Sequence, residues 1–200
     1  MFEKFEQYLR HHLPELTDEQ INRIRLVSVV RKVRRKHFLL HEGEVSCHKI
    51  FVVQGLLKTY SIAEDDNEYI IKFTPEHKWT TDPESYINRT PSKYNIEAIE
   101  AAEVVLWSRE DLKSLRAAIP AINAFLESMM AHGIAETQKR LLMNISSTAE
   151  ERYLDFITSF PNVFRRVPLH MVASYLGVSR ETLTRIRHLQ LSRKSTASIG

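Results

Sequence analysis

Apolar residues recur at helical spacing at the start of the chain. Phe2, Phe5 and Leu9 fall on one side of a helix, and this spacing predicts a short amphipathic helix over the first 13 residues. Thr17 followed by Gln20 has the pattern of a capping box, in which two side chains bond the first free amides of a helix. A second short helix is therefore expected from this point to about residue 25.

From Val27 onward the period changes to two, which is typical of strands. Short apolar runs at 38–40 and 50–53 are bounded by Gly43 and Gly55. Gln54-Gly55 predicts a hairpin turn between runs 50–53 and 56–60, and residues 65–67 predict another. Strand signals at roughly ten-residue spacing indicate a compact sandwich or barrel.

Residues 119–145 have strong helix formers and no proline after Pro120, so they predict one long helix. At 1.5 Å per residue it spans about 40 Å. A stripe at spacings of four and three residues predicts a short coiled-coil-like dimer seam, formed by Leu126, Met130, Gly133, Thr137 and Leu141. The alternative is that this stripe packs on the protein's own β-domain.

The chain beyond the long helix shows a third kind of pattern. Residues 147–150 predict a capping box and a helix that Pro161 ends. Residues 163–167, with Arg165 and Arg166 among them, predict a strand of the small sheet that makes a helix-turn-helix winged.

Two helical patterns meet at Gly177, a residue suited to the left-handed conformation that closes a helix. The first begins after Pro168, and the second begins at Ser179, whose hydroxyl can cap free amides. The buried positions expected are Met171, Val172, Tyr175 and Leu176 in the first helix and Leu183, Ile186 and Leu189 in the second. Two helices joined by a tight glycine turn predict a helix-turn-helix.

The exposed face of the second helix is basic. Arg180, Glu181 and Arg185 lie on its first turns, where a recognition helix meets base edges. Arginine can bond both major-groove acceptors of guanine, and glutamate accepts from the cytosine amino group. The expected backbone contacts are Arg165, Arg166, Ser179, Thr182, Thr184, Arg187 and His188. The alternative is an ordinary helical hairpin with a solvated charged face.

Charge is distributed unevenly, and this favours double-stranded DNA as the partner. Residues 163–200 hold seven Lys or Arg and one acid, whereas the rest of the chain holds 21 basic and 24 acidic residues. A basic module on a slightly acidic body is the electrostatic pattern of a nucleic-acid-binding domain. A hydrophobic content of 43% with 26% charged residues is typical of a globular chain.

The chemistry-bearing residues argue against an enzyme. One cysteine, Cys47, cannot hold an iron-sulfur cluster, which needs about four thiolates. We interpret it as an inert thiol. A metal enzyme of the cupin type would need a histidine pair of the form H-x-H, and none occurs. No apolar run is long enough for a membrane span, and the N-terminus carries acids early, so a cytoplasmic protein is expected.

The run ASYLGVSRETLTRI, residues 173–186, resembles the helix-turn-helix of the Crp/Fnr family of bacterial transcription regulators. Leu40, Gly43 and Glu44, followed by IFVVQGLLKTY, are similar to the β-roll of a cyclic-nucleotide-binding domain. The resemblance implies an α+β fold with an N-terminal β-roll (a jelly-roll or double-stranded β-helix), a long dimerisation helix and a C-terminal winged helix-turn-helix. It also implies that Arg180, Glu181 and Arg185 read a palindrome of TGTGA-like half-sites.

The phosphate cassette, residues 79–101, departs from the nucleotide-binding members of that family. The G-E-L stretch is missing, and Ser92 and Lys93 stand where those members have arginine and its neighbour. A lysine cannot supply the bidentate fork of arginine, so cyclic AMP is not expected in the usual geometry. The effector is another small molecule or none. Its candidate pocket comprises Trp79, Thr81, Asp82, Ser85, Tyr86, Ser92, Lys93 and Tyr94.

Together these patterns predict a sensor domain at 1–118, a long helix at 119–145 and a DNA-binding domain at 146–200. The expected function is a homodimeric transcription regulator that binds double-stranded DNA and RNA polymerase. The alternative is a ligand-independent regulator whose β-roll only dimerises or contacts polymerase.

Overall fold

A computed structural model describes residues 2–64 and 67–197, with side chains up to residue 192. The helices are α1 (Phe2–His12), α2 (Asp18–Val27), α3 (Pro83–Asn88), α4 (Arg109–Ala118), α5 (Pro120–Ser146), α6 (Ala149–Ser159), α7 (Pro161–Phe164), α8 (Leu169–Leu176) and α9 (Arg180–Ala197). The strands are β1 (Val29–Val33), β2 (Phe38–Leu40), β3 (His48–Gln54), β4 (Leu57–Ile62), β5 (Glu68–Thr74), β6 (Trp79–Thr80), β7 (Asn95–Ala98) and β8 (Ala102–Ser108).

The strands form a β-roll of two antiparallel sheets, with orders β1-β8-β3-β6 and β2-β7-β4-β5. Apolar side chains from both sheets fill the space between them, among them Ile50, Val52, Leu57, Ile96 and Val104. Alternation along β3 sends Phe51 and Val53 to the opposite, outer face of the first sheet. The α+β prediction with a β-roll is confirmed.

The hairpin predicted at Gln54-Gly55 is wrong. β3 belongs to the first sheet and β4 to the second, so the chain crosses between sheets here. Gly55 has φ +101°, and a Cβ on it would lie 2.7 Å from the Ala102 Cα. The sharp crossing therefore needs glycine. The second predicted hairpin is present, because Ser61 on β4 pairs with Tyr69 on β5, although Asp65 and Asp66 lie outside the described residues.

Helices cover the outer face of the first sheet. α1, α2, α4 and the first turns of α5 bury Phe5, Ile24, Leu115 and Phe125 against the outer side of β3 and β8. The Thr17 and Gln20 side chains form the predicted capping box at the start of α2. The later turns of α5 leave this core and run largely exposed.

The C-terminal module consists of helices. Its first capping box joins Thr148 and Glu151, one residue later than predicted. The strand predicted at Val163–Val167 is wrong, because this segment is the end of α7 and a following turn, and residues 149–197 contain no strand. Val163 and Val167 are both buried and the Val167 amide bonds the Val163 carbonyl at 3.2 Å, so their spacing of four is helical.

Within the described residues, no helix is both long and apolar enough to cross a membrane.

Candidate nucleic-acid interface and sensor domain

The turn between α8 and α9 has the geometry of a helix-turn-helix. Gly177 ends α8 with φ +66°, and its amide bonds the Ala173 and Ser174 carbonyls. The Val178 amide also donates to the Ala173 carbonyl, at 3.0 Å, which completes the closing turn. The Thr182 amide donates to the Ser179 hydroxyl at 3.1 Å, so Ser179 caps α9 as expected.

Burial fixes which face of α9 is free. Leu183 and Ile186 pack against Val172 and Leu176 of α8, whereas Leu189 is 48% exposed, so the prediction that Leu189 is buried is wrong. On the other side, Arg180, Glu181, Thr184, Arg185 and His188 are exposed and line one shallow depression. The structure therefore brings the three expected base-reading residues together on one open surface.

Electrostatics at the start of α9 keep Glu181 ionised. Its own backbone amide bonds the carboxylate, and this bond, the Ser179 hydroxyl and the Arg180 charge lower the pKa of Glu181. Negative charge is favourable at a helix N-terminus. An ionised carboxylate is acceptor-only, which is the form needed to accept from a cytosine amino group.

The expected phosphate contacts fall into two groups. Arg165 is exposed, and Arg187 is half-buried on α9. Arg166 instead binds two carboxylates of the β-roll: its guanidinium lies 2.8 Å from Glu76 and 2.5 Å from Glu100. These ion pairs occupy the Arg166 donors, so in this arrangement Arg166 joins the two parts of the chain and does not face DNA. The hydroxyls of Thr182 and Thr184 lie on the first turns of α9, and Thr184 donates to the Arg180 carbonyl.

The C-terminal module docks on the edge of the second sheet. Ser174 on α8 accepts from the Ile70 amide at 2.9 Å and donates to the Glu68 carbonyl at 2.6 Å. Arg140 on α5 donates to the Ile70, Ile71 and Tyr175 carbonyls, and its guanidinium lies 4.0 Å from the Tyr175 ring centroid. One apolar cluster runs through this contact, joining Ile70 and Phe73 of β5 to Phe156 and Val172 of the module.

The predicted seam on α5 is open along most of its length. Met130 and Leu141 are 56% and 59% exposed, and Gly133 and Thr137 are exposed as well. Leu126 is 5% exposed and packs in the protein's own core, so it cannot belong to a seam. Ile134 and Ile145, which are not among the predicted seam residues, are 56% and 76% exposed.

The cassette forms a closed polar network. Asp82 caps α3, accepting from the Glu84 and Ser85 amides, and also accepts from the Ser92 hydroxyl at 2.7 Å. Ser85 accepts from the Ser46 amide and donates to the Thr90 carbonyl, while Thr81 donates to the His48 carbonyl. These groups satisfy one another, and no arginine takes part in this network.

The other candidate pocket residues lie at the margin of that network. Lys93 is exposed and pairs with Glu84 at 3.5 Å, so it does not face a pocket. Tyr86 is buried between two cations, Lys49 and Arg109, at 5.3 and 5.1 Å from its ring centroid. Burial affects the Tyr86 phenol more than the nearby Arg109 charge does, and it raises the pKa of Tyr86. Tyr94 is half-buried, and its amide donates to the Ser92 hydroxyl.

A cavity of about 1060 Å³ lies elsewhere, between α1, the β5–β6 turn and α5. Of the predicted pocket residues, Trp79 alone lines it. Its indole lies near the Tyr8 phenol, but the geometry does not complete a hydrogen bond. The lining that sequence reasoning missed includes Lys72 and four histidines, His11, His12, His77 and His132.

Cys47 is exposed, and its thiol lies 3.3 Å from the Val45 carbonyl. Among residues 2–64 and 67–197, no group of His, Cys, Asp or Glu side chains is arranged to hold a metal ion.

Known proteins resemble the chain in both parts. Residues 30–118 match the model of the cyclic nucleotide-binding domain. The transcriptional activator Anr of Pseudomonas aeruginosa is 25% identical over 171 residues, covering 78% of this chain and 68% of Anr. FixK2 from Bradyrhizobium japonicum superposes with a TM-score of 0.73 at 19% identity, covering 84% of this chain and 86% of FixK2. A Crp/Fnr regulator from Eubacterium rectale gives 0.68 at 16% identity, covering 91% and 88%.

Residues 30–118 are thus similar to the cyclic nucleotide-binding domain, and the chain is similar over most of its length to transcription regulators such as Anr. Its homologues are transcription regulators rather than enzymes. The part that matches the cyclic nucleotide-binding domain extends from β1 to the end of α4, and the helix-turn-helix described above lies outside the matched residues.

Proposed function

We propose that this protein is a homodimeric, sequence-specific DNA-binding transcription regulator of the Crp/Fnr type. The observation that carries the proposal is the exposed surface of Arg180, Glu181 and Arg185 on the first turns of α9, held by the glycine turn. By family resemblance, a pair of such helices reads a palindrome of TGTGA-like half-sites. Two half-sites one helical turn apart, about 34 Å, suit a two-fold dimer.

Binding to a duplex with two TGTGA half-sites tests the proposal, measured by fluorescence anisotropy against a scrambled duplex. Arg180→Ala should lose discrimination at one base pair, at a cost of about 1 to 3 kcal/mol. Arg23→Ala is the control, because Arg23 is an exposed arginine on α2. Equal affinity of the wild-type protein for both duplexes would contradict sequence-specific binding.

The sensor part supports an effector other than cyclic AMP. In the cassette, Ser92 occupies the position of the family arginine and its hydroxyl is already bonded to Asp82. The cavity beside α5 is a candidate ligand pocket separate from the cassette. Glu76 lines this cavity and also binds Arg166 of the C-terminal module. A ligand in this cavity would contact the β5–β6 turn, which carries Glu76. This contact gives a physical route by which ligand binding is coupled to the position of the C-terminal module.

A second candidate is a ligand-independent regulator whose β-roll only dimerises or contacts RNA polymerase. The apolar side chains that fill the roll favour it. A thermal-shift screen with cyclic nucleotides and metabolites separates the two, because a bound ligand raises the melting temperature. Saturable cyclic AMP binding by calorimetry would overturn our assignment of the cassette.

A further inference from the structure

Three cations group around one buried tyrosine where β3, α3 and α4 meet. Tyr86 of α3 is 8% exposed, and the Lys49 ammonium of β3 and the Arg109 guanidinium of α4 lie 5.3 and 5.1 Å from its ring centroid. Arg116, about two turns further along α4, is close enough for its charge to act on both Lys49 and Tyr86. We call these four residues the cationic cluster.

No carboxylate is paired with these cations. Within residues 2–64 and 67–197, Lys49 and Arg109 form no ion pair and no hydrogen bond. The Arg116 guanidinium donates to the side-chain oxygen of Asn123 at 2.6 Å, and this partner is neutral. Cations grouped in this way repel one another and gain from an anionic partner.

The acids whose charges reach Tyr86 are Glu110 and Asp111, and both have other partners. Glu110 pairs with Arg89 at 3.7 Å, and Asp111 accepts from the Ser108 hydroxyl at 2.5 Å. The negative charge of α4 is therefore engaged at its start and does not balance the cationic cluster.

Burial makes the unbalanced charge unfavourable. It lowers the pKa of Lys49, and the Arg116 charge lowers that pKa further. The Tyr86 hydroxyl and the Arg109 Nη2 atom are also buried, and neither has a hydrogen-bond partner in the part of the chain that the structure describes. Buried polar groups in folded proteins nearly always have a partner. The cationic cluster therefore lacks an acceptor that carries negative charge.

A phosphate group fits this requirement. As a monoester it has three acceptor oxygens and a charge of about −1.5 to −2 at pH 7, whereas a carboxylate brings one negative charge to three cations. A protein partner is usually held by an aromatic or apolar centre that both surfaces bury. Tyr86 is already buried within its own chain, so it is not available for such a contact.

We propose that Lys49, Tyr86, Arg109 and Arg116 bind the phosphate group of a small molecule, either inorganic phosphate or a phosphate monoester. None of the four lines the cavity beside α5, and their side chains take no part in the hydrogen bonds of the cassette network. Because α4 ends two residues before α5 begins, a bound phosphate would join the cassette helix α3 to the segment that leads into the long helix.

Calorimetric titration of the full chain with inorganic phosphate and with glycerol 3-phosphate tests the site, with sodium chloride and glycerol as matched blanks. At least one phosphate should bind saturably, at one site per chain, with a Kd of about 1 mM or below. Lys49→Met and Arg109→Gln should each weaken this binding about tenfold, because hydrogen bonds to charged groups are the stronger ones. Lys113→Met is the control, since Lys113 is an exposed lysine on the same helix α4, and it should bind like the wild-type protein.

Tyr86→Phe separates binding from folding. It removes only the hydroxyl that has no partner, so the melting temperature without phosphate should not fall. Phosphate affinity should still drop about tenfold, because the hydroxyl no longer donates to the anion. The pKa of Lys49, followed by NMR, should rise when phosphate is added, a change that a purely structural cluster would not show.

Absence of saturable binding for both phosphates would overturn the inference. Binding that Lys49→Met, Arg109→Gln and Tyr86→Phe all leave unchanged would also overturn it, because the anion would then occupy another cationic surface, such as that of α9. If Arg109→Gln does not fold, Lys49→Met and Tyr86→Phe still decide. If poly-glutamate binds at the cationic cluster and neither phosphate does, the cluster is a contact for an acidic protein surface, and the inference is wrong.

Discussion

Gly55 shows how one residue sets the geometry of the roll. Its backbone crosses between the two sheets at φ +101°, and its amide donates to Glu76 at 2.8 Å. The backbone of Ala101 and Ala102 lies where a Cβ would be. Because Glu76 also binds Arg166, this one position links the sheet crossing to the docking of the C-terminal module.

Replacing Gly55 with alanine should be costly, because it adds both backbone strain and overlap. The positive φ costs about 1 to 2 kcal/mol, and overlap in a packed region costs about 1 to 3 kcal/mol more. Gly43→Ala separates the two effects, since Gly43 has φ +87° but open space around its Cβ position. Urea unfolding should give Gly43→Ala the strain cost alone; equal losses for both variants would contradict the role of Ala101 and Ala102.

The long helix α5 has two faces with different surroundings: one faces the cavity and β5, and the other is exposed. His132 and Glu136 face the cavity, and Arg140 reaches the edge of β5. The face with Met130, Ile134, Leu141 and Ile145 contacts nothing in the described chain closely enough to bury it. Exposed apolar stripes of this length at helical spacing are typical of helix pairing.

Leu141→Asp should therefore shift the proposed dimer to monomer, since two like charges would face each other across its two-fold axis. Sedimentation velocity at micromolar concentration measures the change. Ala135→Asp is the matched control: it adds the same charge to α5 at an exposed position on another face of the helix. A Leu141→Asp variant that remains dimeric would place the dimer interface elsewhere.

The sequence could predict those local features that depend only on near neighbours in the chain. Gly177, Ser179 and the Thr17 capping box depend on neighbours a few residues away, and each is found as predicted. The hairpin at Gly55 failed, because the sheet that a strand joins depends on strands far along the chain. Val163 and Val167 fit both a strand and a helix turn, and the packing of the module decided between them.

The site residues also divide into those that the sequence could predict and those that depend on distant parts of the chain. Exposure of Arg180 and Arg185 follows from the helical period, so the sequence predicted it. The fate of Arg166 depends on Glu76 and Glu100, which lie 90 and 66 residues away, and local pattern holds no information about them. The cavity lining combines α1, one turn and α5, so its histidines looked scattered in the sequence.

For the whole molecule, the contact between roll and module is partly electrostatic. Burial raises the pKa of Glu76, but the hydrogen bonds from Arg166 and from backbone amides, including that of Gly55, together outweigh burial and hold that pKa below its usual value. A carboxyl whose pKa is lowered in the folded state stabilises the protein above its unfolded pKa. That stabilisation is lost as pH falls through the lowered value.

Glu76→Gln should accordingly lower the free energy of unfolding by about 1 to 2 kcal/mol at pH 7, a range reduced for partial exposure. The difference from the wild-type protein should shrink as pH falls through the lowered pKa of Glu76, because protonation removes the same charge. Urea unfolding between pH 7 and 3.5 measures it, with the exposed Glu127→Gln as control. A difference that is constant with pH would show that the charge of Glu76 is not what matters.

The hydrogen bonds between Ser174 and β5 also protect the protein against aggregation through an open sheet edge. β5 is the last strand of its sheet, and Ser174 and Arg140 occupy backbone groups that an edge strand otherwise leaves unpaired. Tyr69 and Ile71 on this strand are already exposed apolar side chains. Any rearrangement that swings the module away from the roll bares an apolar edge, on which strands of other molecules can pair. Movement of the C-terminal module away from the roll therefore carries a risk of aggregation, unless another surface covers the exposed edge of β5.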